Sequence, residues 1–273
     1  DFNLNVVGID NSIDNIYNPK DGAYIRLRDK YVSLNIDFDP NKIIFLACDA
    51  SDRFNNHNNF MMNEFSEIVK NKEIFKNKYS FDTATIFFAL HYFFKSKNTL
   101  KNLIKNIDDN INIGGYFAGC CYDGSIIHDK LKNNNNSDLI FKYKTDESNE
   151  NVEVLRIKKI YKNNVFDSSY DSLGQEIKVL VQSIDKEHSE YLVHFDLLKY
   201  ELNKIGFDLI SSHNFKYYST INSPQMNNIH LTELDKSISF LNRTFIFKRS
   251  RIPKVMDILT SNKTKISSLI KDN

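Results

Sequence analysis

The sequence has no tryptophan, four prolines, eight glycines and only three cysteines in 273 residues. Cys48, Cys120 and Cys121 do not make a disulfide framework, and the last two are adjacent and poorly placed to bridge each other, which favours a reducing compartment. The seven histidines do not combine with cysteines at zinc spacing, so no metal site is expected. No apolar run approaches the length of a membrane span and no signal-peptide pattern opens the chain, so no membrane partner is expected. Neither sign of charge dominates: 36 Lys+Arg stand against 35 Asp+Glu, a formal +1. That balance excludes a global field toward nucleic acid, while a local basic groove stays compatible with it. Asn, Lys and Ile are abundant instead, a bias that points to an AT-rich genome more than to chemistry.

The length is sufficient for one large domain or one domain with a sizeable insertion. The chain opens "DFNLNVVGID" without a methionine and enters a strand almost at once, which reads as a fragment of a longer polypeptide or one lacking its first part. Apolar runs alternate with amphipathic segments, the pattern of an α/β sheet covered on both faces. Strands are expected at 4–9, 42–48, 82–88 and 115–121. Leu100, Leu103, Ile104 and Ile107 fall at helical spacing, predicting a crossover helix over 95–110 between parallel strands. "LKNNNNSDL" reads as a low-complexity loop, and "LIFKYK", "VEVLRIKKIY" and "EIKVLVQSI" read as antiparallel strands of an insertion at about 134–186. A helix over 194–207 ending at Gly206, a strand "FDLISSHNF", a helix N-capped by Thr232 and a strand "RTFIFKRS" complete the α/β pattern. Pro253 closes that last strand, and residues 251–273 form a polar tail.

Chemistry-bearing residues gather where α/β sheets place ligands, at the carboxyl ends of strands. Asp10 ends "VVGID", where an acid commonly accepts from ribose hydroxyls; the plainer alternative is a loop cap. Asp49, after "FLAC", suits an adenine amino group, or else a turn opening the Asn-rich loop 52–59. "FDTATIFFALHYFFKS" brings His91 and Tyr92 to the same expected edge. A lone histidine on an apolar segment is more often a satisfied core residue, but this position lifts binding above that reading. No Ser or Cys nucleophile is paired with it, so acyl transfer is unsupported. Glu190, in "HSEYLVHF", suits guanine, whose N1–H and N2 amino group one carboxylate can accept together. From that motif alone, a helix-start charge favoured by the macrodipole is the better reading of Glu190. Tyr92 or Tyr191 could stack on a base.

Taken together, "FFALHYFF", "GGYFAGCCYDG", "SEYLVHF" and "SFLNRTFIFKR", in this order, resemble the messenger RNA cap guanine-N7 methyltransferases, most of all those of large-DNA-virus capping enzymes. The resemblance implies a Rossmann-like class I S-adenosylmethionine-dependent fold over residues 1–250, with a mostly parallel sheet and the antiparallel insertion as a lid. It implies Asp10 on the cofactor ribose, Asp49 near its adenine, and Phe87, Phe88 and Ala89 along the cofactor side. His91, Tyr92, Tyr122 and Glu190 would hold the cap guanine, with no general base. Its expected partners are the GpppN end of RNA, RNA triphosphatase and guanylyltransferase domains upstream, and an activating subunit; its expected location is the virion or host cytoplasm. Three departures stand out: the family's glycine-rich cofactor loop and the lysine upstream of it are not in the sequence, their place falling before Asp1; Phe87 replaces a usual glutamine, a change at the cofactor contacts; and the aromatic residue many cellular members place before the last strand has no clear counterpart, with Phe240 nearby in "SFLNR". The alternatives are a non-catalytic methyltransferase-like cap-binding subunit, a small-molecule methyltransferase and, least supported, an oxidoreductase using Asp10 on a dinucleotide ribose.

Overall fold

In the computed structural model, residues 5–251 are described, except 38, 40, 41, 57, 58, 77–79, 134–137, 145–149, 185 and 222–230. Pro253 and the rest of the polar tail after residue 251 lie outside these residues, as do residues 134–137 of the "LKNNNNSDL" loop. The chain forms two compact units, residues 1–80 and 81 onward.

In the first unit, β1 (Val6–Asp10) pairs in parallel with β2 (Ile43–Ala47), in the register Asp10↔Ala47. Between them lie α1 (Ile13–Tyr17) and α2 (Ala23–Ser33), and α3 (Asn63–Asn71) follows β2. Ser12 caps α1 by accepting from the Asn15 N–H. Ile16, Leu46, Cys48, Phe65 and Val69 form this unit's core.

The second unit begins with β3 (Phe81–Phe87), parallel to β4 (Ile111–Tyr122), joined by α4 (Lys97–Asn110). The expected crossover helix thus starts two residues later than predicted, because Ser96 and Thr99 form a reciprocal capping box. Then α5 (Gly124–Lys132) leads into an antiparallel sheet, β5 (Asp138–Lys144), β6 (Asn151–Lys159), β7 (Glu176–Val181) and β8 (Lys186–Tyr191). Its inner face, with Leu155, Ile157, Ile177 and Val179, packs with Ile127 and Leu131 of α5. The expected antiparallel strands are therefore present, with a fourth, β8, that its polar sequence, KEHSEY, concealed.

Next come α6 (Phe195–Lys204), β9 (Phe207–Asn214), α7 (Phe215–Ser219), α8 (Glu233–Ser239) and β10 (Asn242–Arg249). Gly206 ends the α6 region at φ +91°, a conformation that favours glycine. Thr232 caps α8 as predicted, in a box with Asp235. β10 runs antiparallel between β4 and β9, giving the order β3-β4-β10-β9. The α/β class stands, with parallel pairing at β1–β2 and β3–β4 and antiparallel pairing at the other strands.

Arg249 closes this second unit from inside. It is fully buried and donates to the carbonyls of Asp108 and Ile111 at 2.7 Å each and to Asp108 Oδ1 at 2.5 Å. A cation at the carboxyl end of α4 also meets the negative end of the helix dipole. Removing one partner of such a buried pair typically costs about 3–5 kcal/mol.

Candidate active site

Four of the expected site residues come together in the second unit. β3 ends at Phe87, and Phe88 turns the chain with φ +53°, its N–H donating to the Cys120 carbonyl at 2.9 Å. A left-handed backbone is a genuine outlier for so bulky a residue, and the Phe88 ring is 56% exposed. The turn delivers the chain into a 3-10 segment, Leu90–Lys95, whose Leu90, Phe93 and Phe94 are buried anchors. They hold His91 in the interior, 5% exposed, and leave Tyr92 at the surface, 47% exposed. The two rings meet edge to face with centroids 4.1 Å apart.

Glu190 arrives on β8, in register with Ile177 and so on the inner sheet face. This corrects the helix-start reading: α6 begins at Phe195 after His194, and its first-turn acid is Asp196. Tyr122 ends β4 beside it. Asp123 pins that strand end, its N–H donating to the Leu241 carbonyl at 2.7 Å and its carboxylate pairing with Arg243 at 3.0 Å. Arg243 in turn lies 4.2 Å above the Phe195 ring. Gly124 then packs against the segment following β8 so closely that a Cβ there would sit 2.3 Å from the Val193 carbonyl oxygen. Only glycine allows this approach, which draws the ends of β4 and β8 together. Gly124 lies in "GGYFAGCCYDG", where nothing in its local sequence signals this close packing.

His91 Nδ1 lies 3.5 Å from Glu190 Oε2, and both side chains are buried. His91 Nε2 and Glu190 Oε2 have no hydrogen-bond partner among the described residues. Each such orphan costs roughly 1–3 kcal/mol, a cost that a binding site offsets when its ligand arrives. Burial lowers His91 to about 4 and raises Glu190 to about 7. Burial, and then the neighbouring Glu190 charge, push Tyr122 well above the usual phenol range, so it keeps its proton. This buried cluster thus holds a neutral imidazole, a carboxyl poised near neutrality and a phenol that keeps its proton. Phe87 is 63% exposed, and Ala89 lies between Phe88 and the buried turn.

The first unit carries the other two expected residues. Asp10 and Asp49 share the carboxyl end of the parallel pair, where the Cys48 N–H donates to the Asp10 carbonyl at 2.9 Å. Asp10 Oδ1 accepts from the Ser12 N–H at 2.8 Å and from Asn15 Nδ2 at 3.1 Å. Asp49 Oδ1 accepts from the Ser51 N–H at 2.8 Å, while Asn59 bonds both the Asp49 N–H and its carbonyl. Both residues therefore shape their turns, as the plainer readings held, with those carboxylate bonds falling on Oδ1. Asp10 also lines a cavity of about 500 Å³ with Gly8, Asn15 and Arg26, a volume suited to a nucleoside-sized ligand. Asp49 is not among the residues lining it. A carboxylate on the cavity wall is an acceptor that fits ribose hydroxyls, and Asp49 stands at the adjacent strand end outside that lining.

Comparisons with known proteins identify the family of the chain. The model of the mRNA (guanine-N(7))-methyltransferase domain matches residues 45–244. The chain belongs to that family. The match includes Asp49, His91, Tyr92, Tyr122 and Glu190 and begins after Asp10. The "probable mRNA-capping enzyme" of Acanthamoeba polyphaga mimivirus is 31% identical over 155 residues, 55% of this chain and 12% of that enzyme. Two solved structures are similar over most of the chain. An S-adenosylmethionine-dependent methyltransferase from Clostridium acetobutylicum ATCC 824 has 14% identity and TM-score 0.47, covering 90% of this chain and 76% of its own. One from Mesorhizobium loti has 12% identity and TM-score 0.40, covering 89% and 80%. Those values are too low to bear on the chemistry. No helix among the described residues is long and apolar enough to cross a membrane.

Proposed function

We propose that this chain methylates N7 of the guanine cap of messenger RNA, through a single methyltransferase domain over residues 1–250 with the insertion at about 134–186. The observation that carries the reading is the buried pair His91 and Glu190, each with an orphaned polar atom, beneath the exposed Tyr92 ring. Guanine suits this set. Ionised Glu190 accepts from N1–H and the N2 amino group, and a neutral His91 has one N–H to offer O6. Tyr92 gives the base a stacking face, and Tyr122 adds a donor beside Glu190.

Asp10 and Asp49 are the residues that would hold S-adenosylmethionine, on its ribose and adenine. When bound, it supplies a methyl group on a positively charged sulfur. Guanine N7 keeps an available lone pair at neutral pH, so no side chain needs to remove a proton, and none of the residues gathered here is asked to. The contribution of the chain is to hold the acceptor in one orientation in a water-poor pocket, an effect worth roughly 7–11 kcal/mol in favourable cases.

A capped end is made by joining a guanylyl group to a 5′-diphosphate RNA, so RNA triphosphatase and guanylyltransferase activities must precede this step. We place them as partners on that chemical ground. The test is incubation of the chain with GpppA-capped RNA and S-adenosylmethionine, followed by nuclease digestion and identification of the methylated base. We expect 7-methylguanine. Methylation of free nucleosides but not of capped RNA would overturn the proposal in favour of a small-molecule methyltransferase.

A further inference from the structure

The turn carrying His91 and Tyr92 leads directly into a strip of unbalanced positive charge. Residues 95–105 read KSKNTLKNLIK, four lysines and no acid, in a chain whose charges otherwise nearly cancel. Lys95 lies in the turn itself, and Lys97, Lys101 and Lys105 stand four apart on α4, so they form one line along the helix. All four are exposed, while Leu100, Leu103, Ile104 and Ile107 bury the opposite face. None of the four makes an ion pair among the described residues; the lysines that do are elsewhere, such as Lys204 on Glu201.

A solvated helix face is the ordinary explanation for such lysines, and two features argue against it here. The first turn of α4 carries no acidic residue, and its N-cap is the neutral Ser96. Cations there oppose the helix dipole, whereas a helix built for stability alone would place acids at that end. The second feature is Tyr170, whose ring centroid lies 4.6 Å from Lys97 Nζ and 5.9 Å from Lys101 Nζ. The ring holds both ammonium groups in place without neutralising them. The nearby acids do not compensate: Glu201, which bonds the Tyr170 hydroxyl, is paired with Lys204 at 2.7 Å, and Asp171 forms no ion pair with either lysine.

We infer that Lys95, Lys97, Lys101 and Lys105 form a track for the phosphates of the RNA chain that follows the cap. Successive lysines on the helix rise about 6 Å, close to the phosphate-to-phosphate step of an extended single strand. The track starts in the same turn as the cap-binding rings, so it lies where the transcript leaves the pocket. This inference rests on the cap reading of His91 and Glu190, and the partner is single-stranded RNA bound without base specificity.

The experiment compares fluorescence anisotropy of a GpppA-capped oligoribonucleotide, the same RNA without a cap, and the GpppA dinucleotide in competition, over a range of KCl. It uses the whole chain and the triple variant Lys97→Gln, Lys101→Gln, Lys105→Gln, whose exposed glutamines keep helix propensity. Each phosphate contact on a single strand contributes about 0.7 to the salt slope of the affinity. The variant is expected to lose about 2 from that slope for capped RNA while binding the dinucleotide as the wild type does, and the corresponding arginine variant is expected to restore the slope. An unchanged slope would overturn the track, as would equal affinity of the wild type for dinucleotide and capped RNA. If the wild type binds capped and uncapped RNA alike, with a slope that depends on the lysines, the track stands and the cap reading falls.

Discussion

His91 Nδ1 sits 3.5 Å from Glu190 Oε2 in a buried pocket without the two groups bonding each other. Burial has pushed each toward its neutral form, His91 down to about 4 and Glu190 up to about 7. Such an arrangement does little for stability by itself. It makes sense as a surface awaiting a ligand that carries the missing donors and acceptors.

Replacing Glu190 with Gln separates these two effects. The amide cannot accept two hydrogen bonds as a charged pair of oxygens does, so cap affinity should fall by about 2–3 kcal/mol, roughly 30- to 150-fold. The melting temperature should hold or rise, because a buried group that resists ionisation has become neutral. Binding of S-adenosylmethionine should not change. Calorimetric titration with GpppA and with the donor, beside a thermal scan, checks all three. A drop in melting temperature together with loss of both ligands would mean that Glu190 is structural.

Glu190 also sets a pH dependence. Its folded value, about 7, lies above the ordinary 4.5, so it contributes stability while protonated and loses that contribution as pH rises from about 4.5 through 7. Cap binding runs the opposite way, since only the ionised form accepts both guanine donors. Affinity for GpppA should therefore be full above pH 7 and decline about tenfold per unit below it, with His91 staying neutral until about pH 4. The Glu190→Gln variant should show neither dependence. A flat affinity profile between pH 6 and 8 in the wild type would contradict the role assigned to this carboxylate.

Phe88 tests the strained turn. Its φ of +53° suits glycine, so Phe88→Gly should relieve about 1 kcal/mol of backbone strain, partly offset by the greater freedom of the unfolded chain. The exposed ring is lost at the same time. We expect a melting temperature no lower than wild type with methylation of capped RNA reduced, measured as kcat/KM. Unaltered kcat/KM would leave the exposed ring without a role.

Asp10→Asn probes the first unit alone. Donor affinity should fall, because an amide is a poorer acceptor for ribose hydroxyls, while GpppA binding to His91, Tyr92 and Glu190 should persist. The readout is titration with S-adenosylmethionine and with GpppA separately. Equal weakening of both would show that Asp10 acts mainly through its bonds to Ser12 and Asn15.

Much of this was legible in the sequence where physics is local. Asp10 and Asp49 at strand ends, the Thr232 cap and the buried stripe of α4 all follow from spacing and residue type. β8 was not, because its residues are mostly polar and Glu190 owes its inward direction to pairing with β7, which lies outside its own segment. The helices α1, α2, α3 and α5 went unread; α2 has no buried residue, so it shows no apolar stripe. The φ of Phe88 and the approach of Gly124 to Val193 arise from tertiary packing, and only a sharp strand-to-turn change near "FFALHY" hinted at the former.

The bond between Arg249 and Asp108 joins positions 141 residues apart. While the chain is being synthesised, the carboxyl end of α4 must therefore wait, with the Asp108 and Ile111 carbonyls unmet, until β10 has emerged from the ribosome. β4 gains its second neighbour at the same late moment. The unit from residue 81 onward thus cannot mature stepwise from its amino end, and a product terminated anywhere short of Arg249 would leave it unfinished.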